Sequence, residues 1–161
     1  MLAVLAVLAP VTLGRVYTRC ELSRILVNDF GFNRLVLPNW ICLIENESRL
    51  NATAVNGPFR DDTFRFGLFQ ISDGFWCNNG ATPGNECNIT CSSLLDDNLE
   101  DDVACANRIF DRYQDFVAWD GWVRYCVSYK MKSNNIYMII IFFESFFLQR
   151  NQPLPNTDAC F

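Results

Sequence analysis

Eight cysteines in a chain of 161 residues constrain this sequence more than any other feature. The count is even and dense, and no two cysteines have the C-x-x-C spacing of a zinc ribbon or a thioredoxin-like site. Such a pattern is typical of proteins that fold in an oxidising compartment, and it predicts that all eight pair into four disulfides. About 105 pairings are possible, so the count alone does not fix which cysteines are joined.

The charged residues narrow the function classes. The chain has 13 Lys and Arg against 18 Asp and Glu, a net charge of −5, and no histidine. The absence of histidine excludes a Ser-His-Asp triad, a Cys-His pair and a His-ligated zinc site. The acidity argues against nucleic acid and anionic membranes as partners, because both attract clustered Lys and Arg. The length predicts one domain.

The N-terminus predicts secretion. Residues 1–13, MLAVLAVLAPVTL, are apolar, and the chain changes character at Gly14-Arg15. Residues 1–14 are therefore interpreted as a signal peptide cleaved after Gly14, although the usual basic start is missing. The run is shorter than the roughly 20 residues of a membrane span, which disfavours an anchor. We expect a secreted, extracellular protein.

A segment near the C-terminus does not fit a folded domain. Residues 127–149 include the run IYMIIIFFESFFL, which is interrupted by Glu144. The run is too short and broken for a transmembrane helix and too apolar for an ordinary surface. Its ends can be read as splice-donor and splice-acceptor sequences, so we interpret 127–149 as a retained intron in the gene model. A membrane tail or an amphipathic appendage is the alternative, and sequencing the transcript decides between them.

Hydrophobic spacing and turn residues predict an α+β fold. Apolar residues at helical spacing predict helices at 20–30, with Gly31 as the stop, and at 38–50, 99–110 and 115–125. Residues 63–71 have the composition of β-structure. Helices on both sides of a small sheet are the expected arrangement.

Short motifs in order along the chain resemble the C-type lysozyme/α-lactalbumin family, glycoside hydrolase family 22. They are RCELSRIL, NWICLIENES, FGLFQISDGFWCNNG, CNITCSSLL, CANRIF and AWDGWVRYC. The resemblance covers 15–161 except 127–149, and the most specific part is the spacing Cys77-x9-Cys87-x3-Cys91-x13-Cys105-x20-Cys126.

This resemblance implies a lysozyme-like fold, with a helical domain and a small β-subdomain at about 52–97. It implies the disulfide pairs Cys20–Cys160, Cys42–Cys126, Cys77–Cys91 and Cys87–Cys105. It also implies a monomer that binds peptidoglycan or a chitin-type oligosaccharide in a cleft between the two parts.

In this family, cleavage of a β-1,4 glycosidic bond uses two carboxyl groups that flank the bond. Glu47, in the motif ENES, matches the general acid, and Trp119 would press an apolar wall against it. Burial favours the neutral carboxyl, so such a glutamate holds its proton near neutral pH. The alternative reading of Glu47 is an exposed helical glutamate, which is the expected state of Glu45.

The second carboxylate is missing. The family has an Asp before the strand residues that are Phe66-Gly67 here, and Arg65 occupies that nucleophile position. A guanidinium there would repel the positive charge that develops on the sugar, and would favour the ionised form of Glu47. Asp61 and Asp62 are upstream alternatives, roughly 10–13 Å away along an extended chain.

The resemblance also implies sugar-binding residues. Phe75 and Trp76 are expected to be exposed and to stack against sugar rings, whereas core packing is at least as good an interpretation for Trp40 and Trp122. Ser72 replaces an Asn that usually supports an acetamido subsite. The complete set of expected substrate-binding residues is Gln70, Ser72, Phe75, Trp76, Ala118 and Trp119.

A second constellation resembles the calcium elbow of α-lactalbumin and the calcium-binding lysozymes. Residues 93–102, SLLDDNLEDD, carry acidic side chains in a loop that runs into a helix. Carboxylates plus backbone carbonyls can supply the six to eight oxygens that Ca²⁺ prefers. A simple acidic helix N-terminus is the alternative. The expected ligands are Ser93 and Asn98, through carbonyls, with Asp96, Asp101 and Asp102.

Three N-glycosylation sequons begin at Asn46, Asn51 and Asn88. The first lies on a helix beside Glu47 and is expected to be unused, and the other two lie in loops that can carry glycans.

Two function classes therefore stay open. The first is a secreted hydrolase of peptidoglycan or chito-oligosaccharide that uses Glu47 and is weakened by Arg65. The second is a non-catalytic module that binds a glycan or a protein partner.

Overall fold

The computed structural model describes residues 15–80, 84–127 and 153–161. The predicted signal peptide at 1–14 lies outside the described residues, as does the predicted insertion at 127–149 except for residue 127.

Four α-helices lie within the described residues. They are α1 (Arg19–Asn28), α2 (Leu37–Glu47), α3 (Leu99–Tyr113) and α4 (Asp120–Tyr125), with short 3₁₀ turns at Cys91–Leu95 and Asp158–Cys160. None of the helices within these described ranges is long and apolar enough to cross a membrane.

The helix ends follow local capping rules. α1 begins with a capping box, in which the Glu21 amide donates to the Thr18 hydroxyl and the Glu21 carboxylate accepts from the Thr18 amide. α3 begins at Asn98, whose side chain accepts from the Glu100 amide, and ends at Gln114 in the left-handed conformation. The predicted helix at 115–125 is wrong in its first part, because α4 begins only at Asp120.

A three-stranded antiparallel sheet forms the β-subdomain. Its strands are β1 (Val55–Asn56), β2 (Arg65–Phe66) and β3 (Ile71–Ser72), in the order β1-β2-β3. The register pairs Arg65 with Asn56 on one side and with Ser72 on the other. Arg65 therefore begins the central strand.

The disulfides confirm the pairing that the family resemblance implies. They join Cys20 to Cys160, Cys42 to Cys126, Cys77 to Cys91, and Cys87 to Cys105. The second pair ties α2 to the end of α4. The third and fourth tie the loop after the sheet to itself and to α3, so the β-subdomain is fastened to the helices.

One aromatic cluster forms the centre of the core. Trp40 of α2 makes edge-to-face contacts with Phe69, Phe116 and Trp119, and its ring is only 3% exposed. Because these partners come from the β-subdomain and from the segment before α4, one side chain connects both parts of the fold. The core-packing interpretation of Trp40 is confirmed.

The sheet packs closely against the helical part of the molecule at Gly67, and a substitution there tests this contact. It follows β2 with φ +72°, and a Cβ there would lie 2.2 Å from the Leu94 carbonyl oxygen and 2.9 Å from Asp102 Oδ1. Gly67→Ala is expected to lower the free energy of unfolding by about 2–4 kcal/mol, measured by urea denaturation, from backbone strain and overpacking together. Gly31 is the control, since its φ is +71° but nothing lies within 4 Å. Gly31→Ala is expected to cost only about 1 kcal/mol, and equal losses would contradict the packing argument.

Candidate functional site

A pocket lies between the sheet and the helical part of the molecule. The segment after α3 closes one side, and β2, β3 and the following loop close the other. The pocket is lined by Arg65, Gln70, Ile71, Ser72, Trp76, Ile109, Ala118 and Trp119. Six of these eight residues are ones that the sequence predicts for the site, and the structure brings them together.

Trp119 is the fixed wall of this pocket. Its indole N–H donates to the Phe69 carbonyl at 2.8 Å, and the ring is 3% exposed. The hydrogen bond crosses from the segment before α4 to the β-subdomain. Trp119 therefore both lines the pocket and fixes the relative position of the two parts.

Glu47 is the last residue of α2 and lies beside the pocket. Its side chain is 7% exposed, and its Oε1 accepts a 2.6 Å hydrogen bond from the Gly121 amide in the first turn of α4. A Cβ on Gly121 would lie 2.8 Å from the same oxygen, so glycine is needed for the close approach. The exposed-helix interpretation of Glu47 is wrong in this structure.

The surroundings of Glu47 favour its protonated form. Burial raises the pKa of this carboxyl above its usual value, and the charge of Asp120 adds to the rise. The Gly121 hydrogen bond and the Arg65 charge lower the pKa in part, but burial dominates. Arg65 favours the ionised form of Glu47, as expected, but its charge is outweighed by burial, and the pKa of Glu47 stays raised.

Arg65 forms the charged centre of the site. Its Nη2 lies 2.9 Å from Asp120 Oδ2, its Nη1 lies 3.8 Å from Glu47 Oε2, and its guanidinium covers the Phe59 ring at 4.5 Å. The Arg65 guanidinium, at the start of β2, thus lies beside the start of α4 and the end of α2. The position where the family resemblance implies a carboxylate holds a fixed positive charge.

Asp120 is the residue that the sequence analysis missed. Its side chain is 62% exposed, and its position between Trp119 and Gly121 was the only sequence indication that it belongs to the site. Asp61 and Asp62 do not take the missing role. Both are exposed and absent from the pocket lining, and Asp61 is held by a 2.7 Å hydrogen bond from the Thr63 hydroxyl.

The balance of charges around Glu47 gives a direct test. Arg65→Met is expected to raise the Glu47 pKa above its value in the parent protein, because the substitution removes an opposing positive charge. Asp120→Asn is expected to lower it, since the Asp120 charge now favours the protonated form. Both shifts are measured by carbon NMR of the side-chain carboxyl as pH is varied. The control Arg60→Met, at an exposed position, should leave the value unchanged; a lower pKa in Arg65→Met would contradict the assignment.

Gln70 shapes the pocket from within the protein. Its side chain is 3% exposed, and its Nε2 donates to the carbonyls of Ala54 and Gly67 while its Oε1 accepts from Asn56. With these bonds made, both amide hydrogens are used. We expect Gln70 to hold the strands in place and not to bind sugar through its amide N–H groups.

The outer end of the site is aromatic. Phe75 is 41% exposed, as expected, but Trp76 is only 7% exposed, so the expectation that Trp76 is exposed is wrong. Trp76 is covered by Phe75 and lies near Tyr113, and the guanidinium of Arg112 stands 4.8 Å from the Phe75 ring centre. Arg112 was also missed, since a single Arg on a helix carries no pattern of its own.

The residues predicted to bind calcium are only partly assembled. Asp102 is 1% exposed, and neither of its carboxylate oxygens has a hydrogen-bond partner among the residues that the structure describes. The pKa of Asp102 is raised to about 8, chiefly by burial. The charges of Asp96 and Asp101 contribute to the rise, and the nearby backbone amides of Leu68 and Asp102 offset part of it. Asp96 instead accepts from the Asn98 amide at 2.8 Å.

Ser93 is half-buried in the 3₁₀ turn and its hydroxyl donates to the Thr90 carbonyl. Across the described ranges, no three acidic, cysteine or histidine side chains are close enough together to hold a metal by themselves. A cation here would need the backbone carbonyls that the sequence analysis included.

Comparisons with known proteins agree with this fold. The model of the C-type lysozyme/alpha-lactalbumin family matches residues 15–136. A lysozyme of Galleria mellonella is 42% identical over 146 residues, which cover 91% of this chain and all of that protein.

Solved structures give the same result. The crystal structure of a lysozyme from Equus asinus matches with a TM-score of 0.64 at 37% sequence identity. The match covers 71% of this chain and 91% of the Equus asinus chain. The structure of a calcium-binding lysozyme from equine milk matches with a TM-score of 0.61 at 37% sequence identity. The match covers 68% of this chain and 87% of the equine milk chain.

Proposed function

Because the chain belongs to the C-type lysozyme/alpha-lactalbumin family, we propose that it is a secreted glycan-binding protein with weak or lost hydrolytic activity. Its ligand would be peptidoglycan or a chitin-type oligosaccharide, bound in the pocket between the sheet and the segment that precedes α4. The observation that carries this proposal is the Arg65 guanidinium, paired with Asp120 and facing Glu47.

One half of the hydrolytic chemistry is present. Glycosidic cleavage needs an acid that protonates the leaving oxygen, and Glu47 is buried, positioned by Gly121 and holds a raised pKa. Trp119 adds a buried apolar wall to the same pocket. Glu47 is therefore suited to act as the general acid.

At the position expected for the second catalytic group, an anion, the protein has the positively charged Arg65. The reaction also needs an anion that captures or stabilises the positively charged sugar. Asp120 does not supply it, because it sits next to Gly121, on the Glu47 side, and its charge is balanced by Arg65. Bond cleavage would then depend on a water molecule attacking without anionic help, which predicts slow turnover.

Binding and turnover measured on one preparation separate the two function classes. We expect chitotriose to bind, followed by tryptophan fluorescence or calorimetry, while peptidoglycan releases few reducing ends. Turnover that is fast and abolished by Glu47→Gln would reject the proposal and show an efficient hydrolase with one carboxylate. Absence of both binding and turnover would favour a module that recognises a protein partner.

The exposed Phe75 ring is the strongest single test of glycan binding. Phe75→Ala is expected to weaken chitotriose affinity by about tenfold, because the substitution removes an exposed aromatic face that packs on Trp76, a residue of the pocket lining. Phe161→Ala is the matched control, since Phe161 is also half-exposed and also lies under an Arg guanidinium, that of Arg34. Equal affinities of the two variants would show that the sugar binds elsewhere.

We further propose that the loop before α3 binds Ca²⁺. The orphaned, buried carboxylate of Asp102 is the observation that favours it, because such a group is costly without a counter-charge. Asp96 and Asp101 would complete the carboxylates, and the backbone carbonyls of Ser93 and Asn98 would add two neutral oxygens. A bound calcium ion would neutralise these charges and strengthen the junction between α3 and the sheet, where Asp102 approaches Gly67. One of the similar structures is described as a calcium-binding lysozyme.

A further inference from the structure

The sequon Asn88-Ile89-Thr90 lies on an exposed turn in the loop that follows the sheet. Asn88 has φ +57° and is exposed, and its carboxamide makes no hydrogen bond with any residue that the structure describes. Thr90 is exposed as well. The side chain that a glycosyl transferase would modify is therefore free and points away from the core.

The turn that presents Asn88 is rigid. The amide of Ile89 donates to Asn85 Oδ1 at 2.9 Å, and the Ile89 carbonyl accepts from the Asn78 amide at 2.9 Å. Ile89 itself packs against the hydrophobic core. Disulfides at Cys87 and Cys91 fix the chain on both sides of the sequon. A bulky group on Asn88 would thus extend into solvent without disturbing the fold.

The sequon at Asn46 is engaged in internal contacts in the folded protein. Asn46 Nδ2 donates to the Cys42 carbonyl at 2.8 Å and lies 3.6 Å and 3.7 Å from the two sulfurs of the Cys42–Cys126 disulfide. Although Asn46 is exposed, a sugar on this nitrogen would disturb these contacts.

The sequon at Asn51 is more enclosed than the one at Asn88. Asn51 is half-buried, forms an isolated antiparallel bridge with Val16, and its Oδ1 accepts from both the amide and the hydroxyl of Thr53. Its side chain is part of the connection between α2 and β1.

We propose that Asn88 is an N-glycosylation site and carries the oligosaccharide of the folded, secreted protein. In the transfer step, Asn88 Nδ2 attacks the anomeric carbon of a polyisoprenoid diphosphate oligosaccharide. A carbon–nitrogen bond forms, the bond from that carbon to the diphosphate oxygen breaks, one amide proton is lost, and the lipid diphosphate leaves. The inference rests on the proposed secretion, since the donor is available only along that route.

This position leaves the glycan-binding pocket open. Asn88 is exposed and is not among the residues that line the pocket; the chain meets the pocket at the preceding residue, Cys87, whose amide donates to the Trp76 carbonyl. We therefore expect the attached oligosaccharide to leave chitotriose affinity within about twofold of that of the unmodified protein.

The test uses the full chain expressed in a eukaryotic secretory host, with its own residues 1–14 in one arm and an established cleavable signal peptide in the other. The protein that reaches the medium is treated with peptide-N-glycosidase and analysed by mass spectrometry. We expect one oligosaccharide, a mass change of Asn88 to Asp after its enzymatic release, and loss of the glycan in Asn88→Gln. The controls Asn46→Gln and Asn51→Gln should keep it.

The two arms separate the inference from the proposed function. Export only with the added signal, with Asn88 modified, would overturn the proposed secretion and support the glycosylation site. The site would be overturned if the exported protein is unmodified at Asn88 in both arms. It would also be overturned if Asn88→Gln still carries a glycan of the same mass as that of the parent protein.

Discussion

Replacing Arg65 with Asp is expected to raise the rate of peptidoglycan hydrolysis by about 10²–10³-fold, the amount typically lost when one electrostatic contact to a transition state is removed. The substitution places a carboxylate at the start of β2, between Asn56 and Ser72, where the parent has a guanidinium. It also frees Glu47 from a nearby positive charge, so the general acid holds its proton more strongly. Both changes favour cleavage, and reducing-end release measures them together.

Three variants assign the gain to a carboxylate and not to lost positive charge. Arg65→Asn removes the cation without adding an anion and is expected to gain little. Arg60→Asp makes the same change in net charge at an exposed position outside the pocket and should gain nothing. Glu47→Gln added to Arg65→Asp should abolish the activity. If Arg65→Asn matches Arg65→Asp, the guanidinium blocks the sugar sterically or by charge, and a second carboxylate is not what the protein lacks.

The fold was predictable where local chemistry decides it. The Thr18 capping box involves only neighbouring residues, and α2 has a proline, Pro38, in its first turn. The helices predicted at 20–30 and 38–50 accordingly begin within one residue of α1 and α2. The helix predicted at 115–125 begins late because Phe116 turns into the aromatic core beside Trp40 instead of continuing a helix. Such tertiary packing overrides helical periodicity.

The residues of the site were predictable from the sequence, but the ion pairs among them were not. The family resemblance supplied Glu47, Arg65 and Trp119; in the structure Arg65 and Trp119 line one pocket, and Glu47 lies beside Arg65. No sequence pattern links Asp120 to Arg65, because they are 55 residues apart and meet only through folding. Likewise the family resemblance implies that Gln70 binds sugar, whereas its three internal hydrogen bonds depend on the folded arrangement of the strands.

Asp102→Asn is expected to change the stability of the protein in opposite directions with and without calcium. In chelator at about pH 9, above the Asp102 pKa of about 8, the parent keeps a buried carboxylate with no hydrogen-bond partner. The neutral amide should therefore raise the free energy of unfolding by about 1–3 kcal/mol. With calcium at about 100 times its dissociation constant, the parent should gain about 3 kcal/mol and the variant much less.

The pH dependence in chelator has a defined sign. The folded-state pKa of Asp102 is raised from 3.8 to about 8, so the folded protein binds the proton more tightly than the unfolded chain. Its stabilising contribution is complete below the unfolded-state pKa and is lost as pH rises through about 8. Asp102→Asn should remove this loss, and the curves of unfolding free energy against pH should cross.

Asp97→Asn isolates the role of Asp102 from that of general acidity in the same loop. Asp97 is exposed and adjacent to Asp96, and it lies outside the proposed ligand set, so its removal subtracts the same charge at the same end of α3. We expect Asp97→Asn to keep most of the calcium-dependent stabilisation, measured by thermal unfolding with calcium and with chelator. If the two variants respond alike, calcium acts by screening an acidic helix N-terminus, and the orphaned carboxylate of Asp102 is not its ligand.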